Sequence, residues 1–125
     1  MSDLTSFVLA RIAEDERFAH QAMGGGDGHW ASWNRSWDTS PTRDLAADGV
    51  RVAALPMTID EHVCRHDPAR VLAECEAKRR IVALHTYDWN PRGLCMADDE
   101  PGPCSTLRVL AQPYADHEQF REEWR

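Results

Sequence analysis

"DPARVLAECEAKRRIVALH" (Asp67–His85) is the stretch on which the fold turns. Asp67 is a residue type that caps helix N-termini, and Pro68 suits the first helical position, where its missing N–H costs nothing. Val71, Leu72, Cys75 and Val82 then recur on one stripe, and Ala73, Ala77, Ile81 and Leu84 on a second. Glu76 and Arg80 fall in the narrow polar gap between the stripes. The spacing predicts an unbroken helix from Pro68 to about His85, buried along Val71, Leu72, Cys75 and Val82 and contacted on two sides. The pairs Glu74–Lys78 and Glu76–Arg80 stand at the favourable i,i+4 spacing. They turn the basic cluster Lys78-Arg79-Arg80 into a solvated helix face rather than a phosphate-binding patch.

Toward the N-terminus, Thr58-Ile59-Asp60-Glu61 has the pattern of a capping box, which predicts a short helix beginning near Ile59. Residues 29–57 predict a small β-hairpin, with strands at His29–Trp33 and Val50–Leu55. The polar segment Asp38–Asp48 lies between them, and Asp48-Gly49 supplies a turn signal. Trp30, Trp33 and Trp37 gather in this element as the hydrophobic load with which it packs on helices. Gly24-Gly25-Gly26-Asp27-Gly28 ends an N-terminal amphipathic helix, Asp3 to about Ala22, that carries Leu4, Phe7, Val8, Ile12 and Ala19 on its apolar side. The glycine run lacks the preceding strand and following Gly-Lys-Ser/Thr of a phosphate-binding loop.

Toward the C-terminus, Ser105 is placed to cap a short helix over Thr106–Ala111, stopped by Pro113. A last helical turn or two is expected near Asp116–Trp124. The fold class expected is α+β and helix-dominated: an N-terminal helix, a small β-hairpin, a long central helix and short C-terminal helices. At 125 residues the expectation is a single domain over 1–125, made of an N-terminal helix (1–23), the tryptophan-rich hairpin (29–57) and a helical core (58–125).

A formal net charge of −7 argues against nucleic acid as a partner, since such proteins carry a basic footprint. No apolar run approaches the roughly 20 residues that span a bilayer, and the start lacks a signal-type segment. The expected compartment is the cytoplasm, where four cysteines are read first as thiols or metal ligands.

The second half resembles a family of small proteins of unknown function from actinobacteria and their phages. The resemblance rests on "RHDPARVLAECEAKRRIVALH" (Arg65–His85) and "CSTLRVLAQPYADHEQFREEW" (Cys104–Trp124). It is strong from His62 to Trp124 and weak over the N-terminal helix and the hairpin. It implies a bacterial host but no activity, cofactor or catalytic residue. In that family a second cysteine tends to follow the position of Cys95 by three residues, and here that place is Asp98. If the family binds zinc through such a Cys-x-x-Cys, this chain has lost or replaced one ligand, which weakens the metal reading for it.

Three constellations carry candidate chemistry. His85, Cys95 and Cys104, with Asp98 or His117 as fourth donor, offer the thiolate, imidazole and carboxylate groups that zinc favours. The competing expectation, and the preferred one, is a metal-free connection in which Cys104 is a small buried residue and Cys95 a loop thiol. A Cys95–Cys104 disulfide is disfavoured by the compartment. His62 and His66 stand one helical turn apart and can share a metal in a hydrolase, but Glu61 precedes the pair instead of lying inside it. A structural role for His66 at the helix junction is the expectation. Tyr114, Phe120 and Trp124, set among acids, form a candidate protein-interaction surface. Cys64 and Cys75 fall in predicted helices, where thiols are usually inert, and no nucleophile elbow or dinucleotide fingerprint occurs. The function expected is that of a small accessory protein acting through contact with an unknown protein partner, leaning away from an enzyme and with no cofactor expected. A zinc-stabilised regulatory domain and a metal-dependent hydrolase using His62 and His66 are the alternatives.

Overall fold

A computed structural model of the chain describes residues 3–33, 42–47, 49–87 and 89–125. Among the described residues, four α-helices and one antiparallel sheet occur in the order α1 (Asp3–Met23), β1 (Trp30–Trp33), β2 (Thr42–Ala47), β3 (Val50–Pro56), α2 (Met57–Arg65), α3 (Pro68–Leu84) and α4 (Ser105–Ala111). Two short 3₁₀ turns follow, Gln112–Tyr114 and Glu122–Trp124. The architecture is a helix-dominated α+β fold. None of the described helices is long and apolar enough to cross a membrane.

The chain divides into two compact units, Met1–Glu14 with Cys75–Arg125, and Asp15–Glu74. In the first, α1 lays Leu4, Phe7, Val8 and Ile12 into a core completed by Cys75, Val82, Leu107, Ala111 and Trp124. These α1 positions keep the i, i+3, i+4 rhythm that puts them on one helix face. Phe7 is the hub: the rings of Trp124, His117 and Phe120 have centroids 5.1, 5.7 and 6.0 Å from its own. The last residues of the chain are thus held by an aromatic cluster rather than by helix propensity.

In the second unit the sheet has the order β1-β2-β3, antiparallel throughout. The expected hairpin is therefore a three-stranded sheet. Thr42–Ala47 reads as polar connector because Thr42, Arg43 and Asp44 open it, yet it is the central strand. Leu45 and Ala46 are buried, and the register shifts between them. Arg51 on β3 reaches Asp44 at 2.8 Å, which neutralises the charge that made the segment look like a loop. Trp37, and residues 38–41 and 48 of the Asp38–Asp48 segment, lie outside the described residues.

Asp67 caps α3 as its residue type predicts, accepting the Arg70 N–H at 2.9 Å. Its other oxygen accepts the Trp30 N–H at 3.2 Å, so one carboxylate ties β1 to the helix start. Gly28 lies against this junction with φ +78°, and a side chain there would meet the Ala69 backbone nitrogen at 3.0 Å. Only glycine satisfies both conditions.

Three local expectations are corrected. The helix α2 begins at Met57 with Pro56 at its N-cap and no side-chain cap, so Thr58 lies inside it and the capping box does not form. The second stripe of α3 is mostly exposed, with Ile81 alone of its four residues half-buried. Cys75 and Val82 are buried, Val71 and Leu72 are half-buried, and Ala73, Ala77 and Leu84 of the second stripe are exposed. Finally, Ser105 is not the cap of α4, because Cys104 occupies the N-cap position and Glu100 supplies the capping oxygen.

Candidate metal centre

The connection from α3 to α4 is built by backbone hydrogen bonds that bring distant donors to one point. His85 follows the last residue of α3, and its N–H is shared between the carbonyls of Ile81 (3.1 Å) and Val82 (3.2 Å). Met96 N–H bonds the Thr86 carbonyl at 2.9 Å, which lays the next strand of chain beside the helix end. Cys95 N–H bonds the Glu100 carbonyl at 2.7 Å, and Asp99 N–H returns to the Cys95 carbonyl at 3.1 Å. This tight turn is sealed by Asp99 in the left-handed region (φ 53°), which aspartate tolerates better than most residues. The turn folds Asp98 back toward Cys95. A second closure, Gly102 N–H to the Gly93 carbonyl at 2.9 Å, leads the chain to Cys104 at the N-cap of α4. Gly102 lies against the Tyr87 ring, where any β-carbon would collide.

The result is a quartet, His85, Cys95, Asp98 and Cys104, whose donor atoms lie within 4.8 Å of one another. His85 Nδ1 is 3.0 Å from Asp98 Oδ2, 3.5 Å from Cys95 Sγ and 3.7 Å from Cys104 Sγ. A tetrahedral ion with the usual zinc bond lengths sets N···S edges of roughly 3.6 Å and N···O edges of roughly 3.3 Å. The two N···S spacings are close to those edges, and the N···O spacing is the shorter one of a hydrogen bond. Both cysteines are fully buried, while the side chains of His85 and Asp98 are 14% and 28% exposed.

Without a cation the electrostatics keep Cys104 a neutral thiol. Burial, first, and the neighbouring Cys95 and Asp98 push the Cys104 thiol up to about 11, although the Leu107 backbone N–H opposes them. A bound cation reverses that balance and makes the thiolate the stable form. At Asp98 desolvation acts to raise the pKa, but hydrogen bonds with Cys104 and Thr106 and the charge and hydrogen bond of His85 hold the carboxyl below its ordinary value. Thr106 donates its hydroxyl to Asp98 Oδ2 at 3.1 Å and so orients the carboxylate, as partners behind metal ligands do. Glu100 receives both the N–H (2.9 Å) and the hydroxyl (2.7 Å) of Ser105, which fixes the start of α4 and with it Cys104.

Of the five candidate ligands, four converge and His117 does not. Its ring packs on Phe7, and its Nδ1 accepts the Gln119 N–H at 3.1 Å. His62 and His66 stack with ring centroids 4.3 Å apart, and His66 Nδ1 contacts the His62 carbonyl at 2.9 Å. That nitrogen serves the helix end, and the pair joins no metal-ligating group among the described residues. Cys64, one turn after Asp60, has its thiol pushed up by burial and by Asp60 and Asp67, which suits an inert neutral thiol. Trp124 is buried by its own unit, and Tyr114 and Phe120 are half-buried around Phe7. Thr106 and Glu100 were not singled out in the sequence, where a threonine inside a helix and a glutamate in an acidic loop carry no distinguishing signal.

The profile of a family of unknown function, DUF6221, matches residues 1–125, and the chain belongs to that family. No curated protein and no solved structure matches it.

Proposed function

We propose that this member of DUF6221 is a small accessory protein that works by protein contact rather than catalysis, and that a structural zinc ion holds the connection between α3 and α4. His85 Nδ1, Cys95 Sγ, Asp98 and Cys104 Sγ are the ligands. The observation that carries the metal is the convergence of three donors on one ring nitrogen. A single nitrogen, whether it bears a proton or a lone pair, cannot form good hydrogen bonds to a carboxylate and two sulfurs at once. An ion at their common centre satisfies all four groups together. Two sulfurs, one imidazole and one carboxylate favour zinc over the harder divalent ions.

The arrangement supports a structural role because four protein donors fill a tetrahedral ion and leave no position for substrate or activated water. Two of those donors are wholly buried. On the motifs shared with actinobacterial and phage proteins we place the chain in the cytoplasm of a bacterial host, where thiols stay reduced and available to metal.

Elemental analysis of protein purified without chelator tests the ion. Near-stoichiometric zinc, lost together in Cys95→Ser and Cys104→Ser, is the result expected. Where those variants fold poorly, wild-type protein in chelator serves instead, and its melting temperature should fall. Metal-free protein with a melting temperature unmoved by chelator and by added zinc would refute the site.

A further inference from the structure

Cys95 and Cys104 are placed differently from the other thiols of the chain. Cys75 Sγ faces the Ile12 carbonyl at 3.9 Å, and Cys64 Sγ faces an Asp60 oxygen at 3.9 Å. Cys95 and Cys104 instead meet one ring nitrogen, His85 Nδ1, at 3.5 and 3.7 Å, and their sulfurs lie within 4.8 Å of each other. Both are free thiols and both are fully buried. Two backbone closures hold them there, from Cys95 N–H to the Glu100 carbonyl and from Gly102 N–H to the Gly93 carbonyl.

The quartet can satisfy itself in two ways. Around an ion, the four donors share one centre and the two sulfurs stand roughly 3.8 Å apart. Without it, the donors separate into two pairs. His85 Nδ1 and Asp98 Oδ2 are already at the 3.0 Å of a hydrogen bond, and the Thr106 hydroxyl steadies the same oxygen at 3.1 Å. That leaves sulfur beside sulfur, and a disulfide, with S–S about 2.0 Å, needs an approach of roughly 1.8 Å. Cys95 lies outside the helices and strands and Cys104 at the N-cap of α4, so side-chain rotation and a small loop shift supply it.

We propose that Cys95 and Cys104 form a reversible redox switch, in which hydrogen peroxide joins them in a disulfide and the ion is released. The release rests on the zinc reading above, and the bond on the sulfur geometry alone. One thiolate attacks a peroxide oxygen, the O–O bond breaks, the departing hydroxide takes up a proton, and a sulfenic acid forms. The second thiolate attacks that sulfur and displaces its hydroxide, which leaves as water with another proton as the S–S bond closes. Two electrons pass from the sulfurs to the peroxide, so two thiolates, one peroxide and two protons give one disulfide and two waters. The disulfide carries no charge, and an ion is left with His85 and Asp98, half of a tetrahedral set. The oxidant is scarcely larger than water, and the side chains at the solvent edge of the site, His85 and Asp98, are 14% and 28% exposed.

The full chain, purified with its zinc and treated with hydrogen peroxide, tests the switch. Cys95 and Cys104 share one tryptic peptide, Gly93–Arg108, that contains neither Cys64 nor Cys75. That peptide should become two hydrogens lighter, free thiols should fall from four to two, and one zinc should be released per disulfide. Circular dichroism should hold, and a dithiol reductant should restore both thiols and zinc binding. Cys64→Ser should release zinc as wild type does. A zinc-loaded chain whose peptide gains oxygen irreversibly, or keeps its mass and its metal, overturns the switch while leaving the zinc site standing. Protein that purifies without zinc and takes none up refutes the zinc site instead; the peptide then judges the sulfur pair by itself, a disulfide supporting it and none overturning it.

Discussion

Replacing Trp124 by alanine tests how the chain end is held. The ring is 5% exposed and sits 5.1 Å from Phe7 and 5.7 Å from Phe120, with the Arg121 guanidinium 5.3 Å from its centroid. Truncation to alanine removes about 200 Å² of buried apolar surface, worth about 5 kcal/mol at 25 cal/mol per Å². A compact unfolded chain already buries part of that area, which lowers the figure to about 3–4 kcal/mol. The backbone contacts should survive, since the Trp124 N–H to Arg121 carbonyl (3.0 Å) and Gln112 Nε2 to Trp124 carbonyl (3.0 Å) bonds do not involve the ring. The assay is urea unfolding followed by far-UV circular dichroism, with Val109→Ala, 68% exposed, as the matched surface control at about 0.5 kcal/mol or less. A loss under about 1 kcal/mol in Trp124→Ala would show that the aromatic cluster around Phe7 does not hold the chain end.

Leu107→Ala, at a fully buried position, should cost about 2–5 kcal/mol, whereas Leu72→Ala at a half-buried one should cost about 1–2, and equal losses by denaturation would contradict the half-burial of Leu72. Asp67→Ala removes the α3 cap and the acceptor of Trp30 N–H, and thermal unfolding should register about 1–2 kcal/mol, with Asp67→Asn recovering part of it. The hydrogen bonds from Ser105, backbone first and hydroxyl second, hold Glu100 below its ordinary pKa, so its stabilising effect is present above the unfolded value and is lost as pH falls through the folded one. Glu100→Gln should therefore melt lower than wild type at neutral pH and converge with it in acid; parallel pH profiles would remove Glu100 from its capping role. Because burial raises Cys104 to about 11, zinc uptake at neutral pH must displace at least its proton, which a pH indicator in weak buffer detects.

Periodicity carried the helices well, because Leu4, Phe7, Val8 and Ile12 repeat against charged neighbours and Asp67-Pro68 marks a start in physical terms. It could not say whether an apolar stripe has a partner, and so Ala73, Ala77 and Leu84 read as a second contact face although they meet solvent. Central strand β2 was illegible for the opposite reason: its polar residues are neutralised by a cross-strand pair, Asp44–Arg51, that exists only once the sheet has formed. At the site, residue type and spacing selected His85, Cys95 and Cys104 with Asp98 or His117 as fourth donor, and the departure at Cys95-Met96-Ala97-Asp98 read as a ligand lost or replaced. The choice between Asp98 and His117 needed three dimensions, since it depends on the turn sealed by Asp99 and on the packing of His117 against Phe7. Thr106 and Glu100 act only through partners five to eight residues away across that turn.

The four donors span His85 to Cys104, a short arc of a 125-residue chain. Closing so short a loop costs little entropy, and the cost grows only slowly with length. Loops of this size close within microseconds, well before long-range contacts such as Phe7 with Trp124 can settle. The segment can therefore sample its ligand geometry while α1 is still unattached, and metal available at that moment would bias which conformers proceed. On the proposed zinc site, metal supply would bear on the yield of folding as well as on the stability of the finished protein.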